Sequence, residues 1–227
     1  MQHFLLVDSA GAVIGSGYKT GPLRSTEILC TPEQAANAQA YAIVSGEVVA
    51  APSAVLLDQA QTAQKTLVTQ GYNKATDYVP VTINGTTYQV DNTAAKQALN
   101  LSLTITANAM MQAPAWAAST EHTAGAYCNV GGVILFCSAA GKSGTSAPTP
   151  PTTFGTPVTD GTAEWELVGR KVYLQGGSFV YMTPQQIMSA FQQGELYLHQ
   201  MSNQLESLIA QISAATTVAD VQAITFP

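Results

Sequence analysis

From Thr183 onward the chain reads "TPQQIMSAFQQGELYLHQMSNQLESLIAQI", with apolar residues at Ile187, Phe191, Leu198, Met201, Leu205, Leu208 and Ile212. The intervals run 4, 7, 3, 4, 3 and 4, a heptad seam in which Gly194 occupies the one missing place. Thr183 as N-cap, Pro184 at the first helical position and Gln186 as the reciprocal capping partner predict where the helix starts. A helix of about 30 residues spans roughly 45 Å, and so long an apolar stripe must be covered by something. Either the helix folds back as an antiparallel pair with a helix over 53–70, or the seam buries against copies of itself. The reading adopted is the second, with 171–227 a strand followed by an oligomerisation helix.

Charge narrows what else the chain can be. Only 10% of the 227 residues are charged, eight Lys and Arg against fourteen Asp and Glu, for a net charge of −6. A nucleic-acid surface needs clustered cations to displace counterions, so that class is set aside. No apolar stretch approaches the roughly 18–20 residues of a membrane span. The start, "MQHFLLVDSAG", lacks a basic region before its apolar run and reads as a strand rather than a signal peptide. Cys30, Cys128 and Cys137 have no metal-ligand spacing and leave one unpaired in any disulfide scheme, as expected of a protein made in a reducing cytoplasm.

The remaining segments predict an α+β chain. "HFLLV" and "AVIGSGY", separated by "DSAG", read as a hairpin, and "TPEQAANAQAY" as a helix with Thr31, Pro32 and Gln34 forming its start. "YAIV-SG-EVVA" predicts a second hairpin, completing a small β-rich unit over 1–52. From Pro52 a helix with a stripe at Leu56, Ala60, Ala63 and Leu67 is expected to end at Gly71. "VPVTI-NG-TTYQV" predicts a hairpin, since Asn84-Gly85 suits the positive φ angles of a type I′ turn. A further helix runs from about Asn92 and is stopped by Pro114, giving a helix–hairpin–helix region over 53–113. Residues 114–170 read as a small all-β module: a hairpin with Gly131-Gly132 at its tip, a Gly/Ser/Thr/Pro-rich stretch, a "TDG" turn and the strand "TAEWELVG". Trp116, Tyr127, Phe136, Phe154 and Trp165 are its expected core.

Within that module "SAAGKSGTSAPTPP" follows the strand-like "VILFC" and invites comparison with a nucleotide-binding phosphate loop. Such a loop needs a glycine five residues before the Gly of Gly-Lys-Ser so that backbone N–H groups can surround the phosphates. Phe136 stands there instead, and the prolines downstream cannot open the helix that would hold the anion. His3, His122 and His199 lie in separate segments, and His199 is read as solvated or interfacial. Glu121 and His122 are neighbours on an extended strand, so they point to opposite faces. Cys137 with His122 as nucleophile and base has only residue identity in its favour. Asp160 stands alone, and Glu164 and Glu166, about 7 Å apart by strand rise, read as a solvated face rather than as the paired carboxyls of a glycosidase. No catalytic residue, cofactor or metal site is expected.

The stretch from Trp116 to Trp165, "W…GAYCNVGGVILFCSAAGKSGTSAPTPPTTFGTPVTDGTAEW", resembles a short β-module found in bacteriophage tail fibre and baseplate proteins. That module opens with a Trp, has an aGtSG…P core and closes with tDGt..W. Trp116, Cys137, Gly141, Ser143, Gly144, Pro148, Asp160, Gly161 and Trp165 match it, while Phe136 replaces the usual Tyr and Phe154 replaces a second Trp. The N-terminal segment is similar to that of small tail-fibre-associated proteins. The C-terminal helix is similar to that of an uncharacterised domain common in such proteins. The resemblance implies a non-enzymatic virion protein of the tail, a homotrimer that joins other tail or baseplate proteins, with the seam as its coiled coil. It also implies an alternative, recognition of a host-surface glycan through stacking on Trp116, Tyr127 or Trp165.

Overall fold

The computed structural model describes residues 1–8, 12–51 and 53–227. Helix and strand are mixed throughout, an α+β chain. Strands β1 (Gln2–Val7), β2 (Val13–Lys19) and β3 (Glu27–Cys30) are followed by α1 (Pro32–Ala36) and the hairpin β4 (Tyr41–Val44) and β5 (Glu47–Ala50). Helix α2 (Ser53–Thr76) leads into the hairpin β6 (Tyr78–Ile83) and β7 (Thr86–Asp91), then α3 (Ala94–Met111). The β-module holds β8 (Glu121–His122), β9 (Tyr127–Val130), β10 (Val133–Ala139), β11 (Gly141–Lys142), β12 (Val158–Asp160) and β13 (Ala163–Leu167). A hairpin of β14 (Arg170–Tyr173) and β15 (Phe179–Met182) precedes α4 (Pro184–Ala214) and α5 (Val218–Ala223).

The local signals hold where turn chemistry dictates geometry. Ser45-Gly46, Asn84-Gly85 and Gly131-Gly132 all carry positive φ at the expected hairpin tips. Thr31 and Gln34 form a reciprocal capping box, as do Thr183 and Gln186, with hydrogen bonds of 2.9 and 3.2 Å. Residues 9–11, in the turn expected between β1 and β2, and Pro52, expected to open α2, lie outside the described residues.

Contacts gather the chain into two compact units, Met1–Gly71 with Leu205–Pro227, and Tyr72–Gln204. In the first, β1 is the central strand of a three-stranded sheet, order β2-β1-β3, and its Leu5 is fully buried. The helical core of this unit joins Val68 of α2, Ile212 of α4 and Val221 of α5, with Leu57, Ala60, Leu205, Leu208 and Phe226 packed around them. Gln61 and Gln64 of α2 donate to main-chain carbonyls of Ala215 (3.1 Å) and Ile224 (2.6 Å), satisfying the C-terminal segment.

In the second unit one core is built from Val79, Val81 and Ile83 of β6, Ala107 of α3, Val172 of β14, Met182 of β15 and Ile187 of α4, with Leu198 packed against them. The β-module is a four-stranded antiparallel sheet, order β12-β13-β10-β9, rather than three strands, because "PVTDG" contributes a strand before its turn. Its faces are covered differently. Leu135, Cys137 and Trp165 lie on one, and Ile134 with Tyr127 and Phe136 packs with Met110 and Val168 on the other. A strand covered on both faces reads as an unbroken apolar run, which is what "VILFC" is.

Three sequence expectations need correction. The apolar stripe of α4 is not left for copies of the chain to cover: Ile187 and Leu198 belong to the second unit's core, and Leu205, Leu208 and Ile212 to the first unit's. The intrachain partner over 53–70 is the solution realised there, and of the seam only Phe191, 40% exposed, faces outward to that degree. The buried face of α2 is Leu57, Ala60, Gln64, Val68 and not Leu56, Ala60, Ala63, Leu67, for Leu67 is 56% exposed. Gly71 does not end α2 but sits inside it, where an added Cβ would lie 2.7 Å from Cβ of Phe226. The glycine is a seat for that side chain rather than a stop.

Burying a branched aliphatic chain contributes about 1.5–3 kcal/mol, and truncation to Ala adds a cavity cost. Ile212→Ala is therefore expected to lower the unfolding free energy by about 2–5 kcal/mol, and Leu67→Ala by less than about 0.5 kcal/mol. Urea denaturation of the two variants checks this, and equal losses would contradict the assigned face.

Candidate functional site

Three residues of the β-module, Trp116, Gly144 and Trp165, converge on one carboxylate. Asp160 ends β12 and is 5% exposed. Its Oδ2 accepts hydrogen bonds from the indole Nε1–H of Trp116 at 2.7 Å and of Trp165 at 3.1 Å. Its Oδ1 accepts from the backbone N–H of Gly144 at 2.7 Å. A buried carboxylate left bare would be costly, and three donors aimed at it satisfy the charge within the module. The indoles in turn lose the orphaned N–H that buried Trp ordinarily must place.

Gly-Lys-Ser is woven into the same knot. Gly141 and Lys142 form β11, paired with His122 and Glu121 of β8, so the segment is a strand and opens no helix. Ser143 is buried: its Oγ accepts from the N–H of Thr120 at 2.9 Å and donates to the carbonyl of Ala117 at 2.7 Å. Lys142 takes part through its backbone, the N–H donating to Thr162 Oγ1 (2.8 Å) and the carbonyl accepting from Thr162 N–H (2.9 Å), while its side chain is exposed. Gly161 has φ +66°, and a Cβ there would stand 2.3 Å from the Lys142 carbonyl oxygen. Glycine is demanded at that position by the closeness of two backbones.

The expected glycan-stacking residues are not gathered on one surface. Trp165 is fully buried, Trp116 is half-buried with its N–H engaged by Asp160, and Tyr127 lies on the opposite face of the sheet against Phe136. Of the aromatic core expected for the module, Trp165 is central and Trp116 partial. Tyr127 and Phe136 serve the second face, and Phe154 packs on Gly169 at the module's end and against Tyr181 beyond it.

His122 packs edge-on against Trp165, ring centroids 4.8 Å apart, and its buried Nε2 has no hydrogen-bond partner among the described residues. Cys137 Sγ donates to the carbonyl of Ala139 at 3.2 Å, and burial raises its thiol pKa. Burial, with Asp160 and Cys137 adding to it, pushes the Cys128 thiol up to about 12. Both are core thiols, not activated nucleophiles, since nucleophilic attack needs the thiolate. Glu164 is exposed and Glu166 half-buried on β13; His199 is exposed on α4; and His3 lies 6.2 Å from Tyr18, centroid to centroid.

Elsewhere in the second unit a groove of about 220 Å³ lies among Val79, Val81, Leu101, Phe191 and Leu198, with Glu195 as its one ionisable side chain. A hollow of about 520 Å³ beside β2 and α1 in the first unit is lined by no ionisable side chain. Among the described residues no cluster of three His, Cys, Asp or Glu is placed to hold a metal ion, and no helix is long and apolar enough to cross a membrane.

Removing the shared acceptor leaves two indole N–H groups and the Gly144 N–H without a partner, so Asp160→Ala is expected to cost about 2–4 kcal/mol. Lys142→Ala, which leaves the backbone knot intact, is expected to cost less than about 0.5 kcal/mol. Urea titration followed by tryptophan emission compares them, and a Lys142 variant as damaged as the Asp160 variant would contradict the assignment. The thiols give a second expectation at pH 8 with a disulfide reagent. Raised pKa values deplete thiolate below them, so Cys128 and Cys137 should react only on unfolding, and half-buried Cys30 should react first. More than one thiol titrating rapidly in the folded chain would be incompatible with this core.

No family model matches this chain, and neither a curated protein nor a solved structure shows significant similarity to it.

Proposed function

We propose that the chain is a non-enzymatic structural protein of a bacteriophage virion, a tail fibre or baseplate component made in the host cytoplasm and assembled as a homotrimer. One observation carries the reading. Trp116, Gly141, Ser143, Gly144, Asp160, Gly161 and Trp165, scattered over 50 residues, meet in a single hydrogen-bonded knot. That gives seven of the nine matched positions of the tail-module resemblance a physical reason to be present.

The homotrimer no longer draws support from the α4 seam, most of which its own chain covers. Its support is the resemblance, together with outward apolar side chains on α3, Leu101 and Ile105, 58% and 62% exposed, and on α4, Phe191, 40% exposed. The glycan-binding alternative through Trp116, Tyr127 and Trp165 has lost its surface, and nothing at those residues favours it.

Light scattering of the purified full chain is expected to give three times the 23.7 kDa chain mass. A stable mass of a single chain at micromolar concentration would end the trimer reading. Peptide mass spectrometry of purified phage particles tests the location separately, and absence of the chain from intact virions would end the tail-protein reading.

A further inference from the structure

The hairpin of β14 and β15 has an outward face of the wrong chemistry for a solvated strand pair. Strand alternation sends Val172, Val180 and Met182 to the core, which leaves Lys171, Tyr173, Phe179 and Tyr181 on the other side. Cross-strand register places Lys171 opposite Tyr181 and Tyr173 opposite Phe179. An antiparallel hairpin with one buried face normally carries polar residues on its other face. Here Phe179 is 47% and Tyr181 43% exposed.

The rings are held rather than loose. Phe179 and Tyr181 meet edge to face at 5.7 Å, and Phe154 lies 5.7 Å from Tyr181. Phe154 is seated on Gly169, where a Cβ would come within 2.6 Å of its ring. Two ammonium groups complete the patch. Lys171 Nζ is 4.5 Å from the Phe179 centroid and 5.9 Å from that of Tyr181, and Lys96 Nζ reaches from α3 to 3.9 Å from Tyr173. Among the described residues the one ion pair is Lys19 with Glu27, so neither patch lysine is neutralised by a carboxylate. In a chain of net charge −6 with eight cationic residues, two unpaired lysines over aromatic faces form a local positive site.

We propose that this outward face, Phe154, Tyr173, Phe179 and Tyr181 with Lys96 and Lys171, binds an acidic saccharide. The C–H faces of a pyranose carry slight positive charge and lie flat on the negative faces of aromatic rings. A uronate, sulfate or phosphate substituent supplies the counter-charge that the lysines lack. The phenol hydroxyls of Tyr173 and Tyr181 can exchange hydrogen bonds with ring hydroxyls. Single-stranded nucleic acid also stacks on aromatic rings, but it needs a cationic groove along its backbone. Two lysines on an acidic chain provide none. The inference stands on the hairpin's own geometry and does not require the tail-protein reading.

The test presents the full chain to a printed panel of saccharides bearing uronate, sulfate or phosphate, their neutral counterparts, and a twelve-residue oligothymidylate. Retention on acidic members is expected, with affinity reduced roughly tenfold by the double variant Phe179→Ser/Tyr181→Ser and about threefold by Lys171→Gln. All these side chains face outward, so thermal unfolding of both variants should match the parent, and Lys171→Gln remains informative if the double variant folds poorly. Silence on every acidic member overturns the proposal. So does equal binding to neutral counterparts, binding undiminished in Lys171→Gln and in a folded double variant, or preference for the oligothymidylate.

Discussion

A single carboxylate organises the small β-module of this protein. Asp160 takes two indole N–H groups and a main-chain N–H at once, so the opening Trp116, the Gly-Ser corner and the closing Trp165 are fixed relative to one another. Charge-assisted hydrogen bonds of this kind are about twice as strong as neutral ones. In a small four-stranded sheet they supply rigidity that a limited apolar core does not. The same bonds account for the sequence pattern. A glycine is needed where the Lys142 and Gly161 backbones touch, and a serine where Thr120 and Ala117 need a bridging hydroxyl. A motif with the letters of a phosphate loop is thereby explained as joinery.

The long C-terminal helix teaches a different lesson. A heptad pattern states that a stripe must be buried, not by what. Here α4 divides its stripe between two units, with the β6–β7 and β14–β15 hairpins serving one portion and α2, α5 and Phe226 the other. With so few charges on the chain, the outward surface that remains is also apolar in places, Leu101, Ile105 and the aromatic hairpin among them. Those patches, rather than the seam, are where contact with other molecules is to be sought.

What was legible in the sequence was local. Asn84-Gly85 and Gly131-Gly132 announce their turns because few other residue pairs tolerate positive φ, and Thr183 with Gln186 announces a helix start because two orphan N–H groups need those oxygens. What was hidden depended on residues far away in the chain. Gln64 is polar yet lies on the buried face of α2 because the Ile224 carbonyl needs its donor. Gly71 reads as a helix stop until Phe226 is placed against it. Asp160 reads as a lone carboxylate until Trp116, 44 residues earlier, is seen to donate to it. The aromatic hairpin gave no signal because "FVYM" reads equally well as core.

The functional reading depends on the module being architecture: a knot tied by Asp160 rather than a surface that stacks ligands. The indole N–H resonances of Trp116 and Trp165 report on that knot directly. Both should appear well downfield of the free indole position in the proton spectrum of the folded chain and exchange slowly with deuterated solvent. If either indole proton resonates at the free position and exchanges at the rate of an exposed tryptophan, the carboxylate does not hold it, and the account of the module fails.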